Sequence, residues 1–234
     1  MAEEKKTPEE KRPEAAQNGA IRKKASGDEI CMGRTRTYEC LRAMAVVLFH
    51  SVLPVRYYGM EKARQEMPLV IISNHVHALD PALVAYPLRA DQCFFLAKEE
   101  LGKNPLVHRF LYRMHCIFVR RHQSDMEAMR NCLRVLKEKK PLVIFPEGTR
   151  HHEGQMEHIE NGTALIVMRS RATLLPMYID KPLKPFRRVN VTIGDPIPYN
   201  DLLAEGVNSE SCEKLNERMR ETFRGMIAWA EKQK

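Results

Sequence analysis

The chain reads as a single α/β domain, a mixed and largely parallel sheet with helices on both faces. Three observations predict this. Five short apolar runs, at residues 69–72, 93–96, 116–119, 142–145 and 174–179, have the length and continuity of strands buried on both faces. Helical patterns stand between them, and alternation of this kind favours parallel strands. A chain of 234 residues, 44% of them apolar, suffices for one core of moderate size.

Taken in order, the first thirty residues lack aromatic side chains, balance acidic against basic residues and carry Pro8 and Pro13. Such a segment buries too little apolar surface to fold, so 1–30 is predicted to be a disordered charged tail. An N-terminal amphipathic helix is placed in 31–54, running over 37–53 with Glu39 and Arg42 near its start and Pro54 as its stop. The domain proper spans 55–234. Its clearest helix, 124–139, sets Met126, Met129, Leu133 and Leu136 on one face, with Ser124 and Glu127 as a capping-box pair. Two more helices are predicted at 160–170 and 208–232. The second repeats Leu215, Met219, Phe223, Met226 and Ile227 at helical spacing. Residues 189–193 alternate and are predicted to form an edge strand.

With the tail neutral, the net charge of +8 resides in residues 31–234. A basic domain suits nucleic acid, anionic lipid or phosphorylated substrates. No Lys/Arg-rich helix or interleaved aromatic platform accompanies the charge, so nucleic acid is disfavoured. The six cysteines show no Cys-x-x-Cys pairing, which suits a reducing cytoplasm. The N-terminus lacks the apolar core of a signal peptide. Residues 43–55, the longest mainly apolar stretch, fall short of the ~20 that a spanning helix needs. The expected location is cytoplasmic, peripheral on the inner face of the cell membrane.

Two blocks carry the chemistry. Asn74-His75-Val76-His77-Ala78-Leu79-Asp80 follows one apolar run and precedes Pro81, which suits a helix start with Asp80 as N-cap. Phe145-Pro146-Glu147-Gly148-Thr149-Arg150 ends another run. A histidine titrates near neutrality, a carboxylate orients it, and an arginine holds an anion; together these are the parts of an acyl-transfer site. The turn between His75 and Asp80 is expected to fold the carboxylate back onto the imidazole.

With Cys116-Ile117-Phe118-Val119-Arg120-Arg121 and Leu174-Leu175-Pro176-Met177-Tyr178-Ile179, these blocks resemble the motifs of the glycerolipid acyltransferase family, the His-x4-Asp enzymes, in family order. The resemblance runs from about Val55 to Tyr199 and includes the bacterial-type members acting on 1-acyl-sn-glycerol 3-phosphate. It implies that family's α/β fold. It also implies acyl transfer from acyl-CoA or acyl carrier protein to the sn-2 hydroxyl of lysophosphatidic acid, a membrane lipid, with no cofactor beyond the thioester and no metal. His75 and Asp80 would be catalytic. Lys98, Arg121, Glu147, Gly148, Thr149 and Arg150 would bind substrate, with Arg121 rather than Arg120 favoured by the family register. Guanidinium forks match phosphate oxygens.

Three positions depart from the family pattern. His77 replaces a small hydroxyl residue and His115 a glycine, both expected to alter the pocket; Glu160 replaces a frequent lysine. Other acceptors, such as another lysolipid or glycerol 3-phosphate, stay open on that account. His75-x-His77, with His151, His152, Glu153 and His158, is also similar to metallohydrolase ligand sets. The Asp-His pair that usually follows is absent, because Leu79, Asp80 and Pro81 stand there. Intact His75 and Asp80 disfavour a catalytically silent lipid-binding relative. The 37–53 helix either faces the core or lies in the membrane interface; in the second case it attaches the domain to anionic lipid, and otherwise apolar loops around 105–110 make that contact.

Overall fold

Runs of leucine, isoleucine and valine shut away from solvent make the strands. The computed structural model describes residues 30–88, 92–120, 125–148 and 156–233. In it, β1 (Val55–Tyr58), β2 (Leu69–Ser73), β3 (Phe94–Lys98), β4 (Cys116–Val119), β5 (Leu142–Ile144), β6 (Thr173–Ile179) and β7 (Val189–Ile193) form one sheet in the order β1-β7-β6-β2-β5-β3-β4. Every neighbouring pair is parallel except β6 and β7. The C-terminal ends of β6, β2, β5, β3 and β4 therefore share one rim. β1 and β7 run the other way and present their starts there.

Alternate residues feed two cores, which explains the unbroken apolar runs. Val70, Ile72, Phe94, Leu142 and Ile144 face one layer, covered by α4 (Met126–Lys137), α5 (Asn161–Ser170), α6 (Asn200–Ala204) and α7 (Ser209–Glu231). Leu69, Ile71, Phe95 and Val143 face the other, beneath α1 (Arg36–Ser51) and α2 (Asp80–Ala85). On α7, Leu215, Met219, Phe223 and Met226 are buried as predicted, each side chain contributing about 1.5–3 kcal/mol by leaving water. Its start is closed reciprocally: Ser211 N–H donates to Asn208 Oδ1 at 2.9 Å, and Asn208 N–H to Ser211 Oγ at 3.0 Å.

Several expectations need correction. Residues 189–193 are not an edge strand: β7 lies between β1 and β6, and β1, not foreseen, forms the edge. Asp125 caps α4, its two oxygens serving two donors; Ser124 of the expected Ser124–Glu127 pair lies outside the described residues. Oδ1 accepts Ala128 N–H at 3.0 Å, and Oδ2 accepts Arg120 N–H at 2.9 Å. Partial burial raises the Asp125 pKa, but these N–H groups and the Arg120 charge outweigh it and hold the carboxyl below its usual range. The core face of α4 is Ala128, Cys132, Val135 and Leu136, while Met126 is exposed. Residues 105–110 belong to a helix, α3 (Pro105–Arg113), capped by Asn104 and carrying exposed Leu106, Val107 and Phe110.

In α1, Tyr38 and Phe49 pack on the core while Met44, Val46 and Val47 face outward. Among the described residues no helix is long and apolar enough to cross a membrane. The predicted tail lies outside the described residues, apart from Ile30.

Candidate active site

The turn after β2 is built on two buried polar side chains. Asn74 is wholly buried and bridges to β6: its Nδ2 donates to Ile179 O at 2.9 Å, and its Oδ1 accepts Ile179 N–H at 2.8 Å. That clamp fixes the point at which the chain leaves the sheet. His75, Val76 and His77 then wrap around the Asp80 carboxylate, whose residue is also fully buried. Oδ2 accepts Val76 N–H and His77 N–H, both at 2.7 Å, and lies 2.8 Å from His75 Nδ1.

A carboxylate only accepts hydrogen bonds, so His75 Nδ1 carries the proton and Nε2 keeps its lone pair. Phe145 stacks on the imidazole, with centroids 4.4 Å apart and planes 28° apart. The His75 side chain is 19% exposed, so the site is open to a ligand. One expectation is corrected here: Asp80 is not the N-cap. Leu79 takes that position without a side-chain bond, and Asp80 is the first helical residue. Its carboxylate turns back because two backbone N–H groups and an imidazole converge on it.

The second block leaves β5 through a tight turn. Gly148 sits at φ 68°, in the left-handed region that favours glycine, and its N–H donates to Phe145 O at 3.1 Å. Glu147 is buried, and its Oε1 accepts Met156 N–H at 3.0 Å; Pro146 O accepts Glu160 N–H at 3.0 Å. Both bonds tie the end of the β5 turn to the chain that resumes at Met156. Thr149, Arg150, His151, His152 and Glu153 lie outside the described residues, as does Arg121. Lys98 ends β3 on the same rim, two strands from β2. Arg120 is an exposed member of a surface cluster, with Nε 3.7 Å from both Glu99 and Asp125.

One of the two unusual histidines, His115, lies elsewhere than expected, while His77 stays in the turn around Asp80. His115 immediately precedes β4, at the opposite end of the sheet from His75, so it cannot shape this pocket. At φ 60° it occupies a conformation that suits glycine, and its Nδ1 lies 2.9 Å from Cys31 O. His77 Nδ1 accepts Leu79 N–H at 3.2 Å, serving the local turn. Among the described residues no three His, Cys, Asp or Glu side chains are grouped to hold a metal ion.

A sequence model of the acyltransferase family matches residues 54–180, from the start of β1 to just past β6. The chain belongs to the acyltransferase family. Its similar relatives include the 1-acyl-sn-glycerol-3-phosphate acyltransferase of Streptococcus pneumoniae, 25% identical over 194 residues, covering 80% of this chain and 71% of that one. The Bacillus subtilis enzyme of the same name is 26% identical over 190 residues, covering 78% of this chain and 94% of its own. That of Borreliella burgdorferi is 31% identical over 121 residues, covering 51% of this chain and 48% of that one. The fold matches the crystal structure of the 1-acyl-sn-glycerophosphate acyltransferase from Thermotoga maritima. The TM-score is 0.61 at 22% identity, over 83% of this chain and 78% of that one.

Chemically, this acyltransferase presents a partly exposed imidazole with a fixed tautomer and a buried anion behind Nδ1. That arrangement can accept a proton and support the resulting cation. The buried thiols offer no competing nucleophile: burial, outweighing other influences, pushes Cys93, Cys116 and Cys132 each up to about 12. Two supporting residues escaped the sequence reading. Phe145 looked like the last residue of a strand. Asn74 gave only one hint, a polar residue placed directly at the end of an apolar run.

Proposed function

We propose that this acyltransferase moves a fatty acyl group from a thioester, acyl-CoA or acyl carrier protein, to the sn-2 hydroxyl of 1-acyl-sn-glycerol 3-phosphate, forming phosphatidic acid for phospholipid synthesis. One observation carries the reading: His75 held 2.8 Å from a buried Asp80 at the open rim of the sheet. His75 Nε2 takes the hydroxyl proton as that oxygen attacks the thioester carbonyl. The tetrahedral intermediate collapses, the C–S bond breaks, and the same proton passes to the departing thiolate. Asp80 orients the ring and balances its transient charge. Arg121, Arg150 and Lys98 supply cations for the phosphate; Glu147, Gly148 and Thr149 belong to the same substrate-binding block. The names of the relatives support this acceptor. No cofactor beyond the thioester enters the scheme. The protein works as a peripheral enzyme at the cytoplasmic membrane surface, where its acceptor resides.

The test offers purified protein each donor with lysophosphatidic acid, glycerol 3-phosphate and other lysolipids. Phosphatidic acid should be the main product. His75→Ala should lower turnover by at least roughly 10²–10⁴ without unfolding. Arg121→Ala and Arg150→Ala should raise KM for the acceptor roughly ten- to hundredfold, and for the donor much less. A folded His75→Ala protein with full activity would refute the mechanism. Arginine variants that raise only the donor KM would reassign those residues to the donor phosphates.

A further inference from the structure

The segment that joins β6 to β7, residues 180–188, leaves the sheet beside the His75 turn. Ile179 ends β6, and its N–H and C=O are the two groups that Asn74 binds, one residue before His75. Because β7 runs antiparallel to β6 and β1 parallel to β7, the starts of β1 and β7 gather at this same rim. The C-terminal end of α1 arrives there too, since it leads into β1.

This segment is held in place. Leu183 is buried, Phe186 N–H donates to Val52 O at 2.8 Å, and Arg187 N–H donates to Lys184 O at 3.1 Å. Yet the Phe186 side chain points out: the residue is 80% exposed, the most of any large apolar residue described. Its φ of 59° is uncommon for an aromatic residue, so the turn itself sets the ring outward.

Charge surrounds it with one sign. From residue 181 to residue 194 the chain contains no aspartate or glutamate. Lys184, Arg187 and Arg188 are exposed and make no ion pair among the described residues; Lys181 alone lies near a carboxylate, 3.6 Å from Asp180. Arg188 also lines an open cleft with Arg56, His50, Phe49, Pro54 and Val55. An outward aromatic ring among unpaired cations matches an anionic bilayer, which accepts the ring at its acyl boundary and the cations at its phosphates.

We propose that residues 180–188, with Phe186 at the tip, dock the His75 rim of the sheet onto an anionic bilayer. A lipid acceptor then meets His75 without crossing bulk water. The purpose rests on the proposed lipid acceptor; the docking itself is measured with no substrate present.

Co-sedimentation with zwitterionic vesicles, and with vesicles containing phosphatidylglycerol, would compare the full chain with two variants. One carries Lys184→Gln, Arg187→Gln and Arg188→Gln; the other carries Phe186→Ser. The unaltered protein should bind the anionic vesicles and release in high salt. The triple variant should bind them roughly a hundredfold more weakly, since each cation near such a surface contributes about fivefold. Phe186→Ser should lose on the order of tenfold and retain the salt dependence. All these positions are exposed, so circular dichroism should match throughout. Turnover on a short-chain acceptor below its aggregation concentration should be unchanged in both variants. A triple variant that binds anionic vesicles as tightly as the parent overturns the proposal. So does loss of turnover with acyl carrier protein alone, which assigns the patch to an acidic protein donor. Failure of the parent to acylate any lysolipid would refute the proposed reaction and leave the docking result standing.

Discussion

Replacing Asp80 with asparagine separates what the side chain does by shape from what it does by charge. Asp80 Oδ2 accepts three N–H groups, from Val76, His77 and the His75 ring. Two of them are backbone and fixed. Asparagine must therefore set its carbonyl oxygen there and turn its NH₂ toward the Oδ1 side. The turn survives and His75 keeps its tautomer, so only the negative charge is lost. During proton transfer the imidazole becomes a cation centred about 4 Å from that carboxylate. At an effective dielectric of about 20, full charges at this distance attract by ~4 kcal/mol. A half-transferred proton realises about half of this, ~2 kcal/mol, or roughly thirtyfold in rate. Turnover should accordingly fall by roughly 10–10³, less than for His75→Ala. Exchanging charged for neutral hydrogen bonds should also cost ~1–3 kcal/mol of stability. Asp80→Ala is the poorer probe. It strands two buried N–H groups at ~1–3 kcal/mol each, against a total stability of only ~5–15 kcal/mol. The assay is kcat at saturating donor and acceptor, with urea unfolding in parallel. A folded Asp80→Asn enzyme with unchanged kcat would refute the electrostatic role. A loss as deep as that of His75→Ala would refute the pinning argument, because it would mean that the amide had flipped and reversed the tautomer.

Asn74→Ala removes both bonds to Ile179 and leaves two buried backbone groups unsatisfied. Stability should fall by ~2–4 kcal/mol by denaturant unfolding, with kcat reduced even where the protein remains folded. An unchanged unfolding midpoint would make the bridge redundant. His115 yields a pH dependence. Burial lowers its pKa below the ordinary 6.5, outweighing the Cys31 carbonyl that favours the charged form, so the unfolded chain protonates first. Stability should decline as pH falls from about 6.5 toward the lower folded value. His115→Asn, which tolerates the left-handed backbone, should reduce that decline when unfolding midpoints at pH 7.5 and 5.5 are compared.

Features governed by neighbours in sequence were legible, and those decided by distant partners were not. The five apolar runs became β2 to β6 within a residue or two at each end. His75 and Asp80 meet because five positions suffice for one turn, a spacing visible in the sequence. The Asn74 clamp was hidden because its partner, Ile179, lies 105 positions away. On α4 two stripes compete, and the methionine-rich one reads as more apolar. The stripe with Ala128 and Cys132 is the one buried, because small side chains let the helix approach the sheet closely. β1 was missed for a related reason: exposed Arg56 and two tyrosines make no apolar run, and pairing with β7 alone makes it a strand.

Strand direction is the feature on which the functional argument turns, and a strand's own residues do not encode it. The alternation at 189–193 reads the same in either direction. The connection decides. Residues 180–188 are shorter than the dozen or more that a parallel crossover requires, so β7 must return antiparallel beside β6. That reversal carries the start of β7, and with it the start of β1 and the end of α1, to the rim that holds His75. A parallel β7 would have left its own start and Arg188 at the far end of the sheet. The short connection therefore places a basic, phenylalanine-tipped turn beside His75 and the proposed acceptor site. On the proposed docking, lengthening this connection should weaken binding to anionic vesicles while leaving the urea unfolding midpoint unchanged; equal vesicle binding would refute the placement argument.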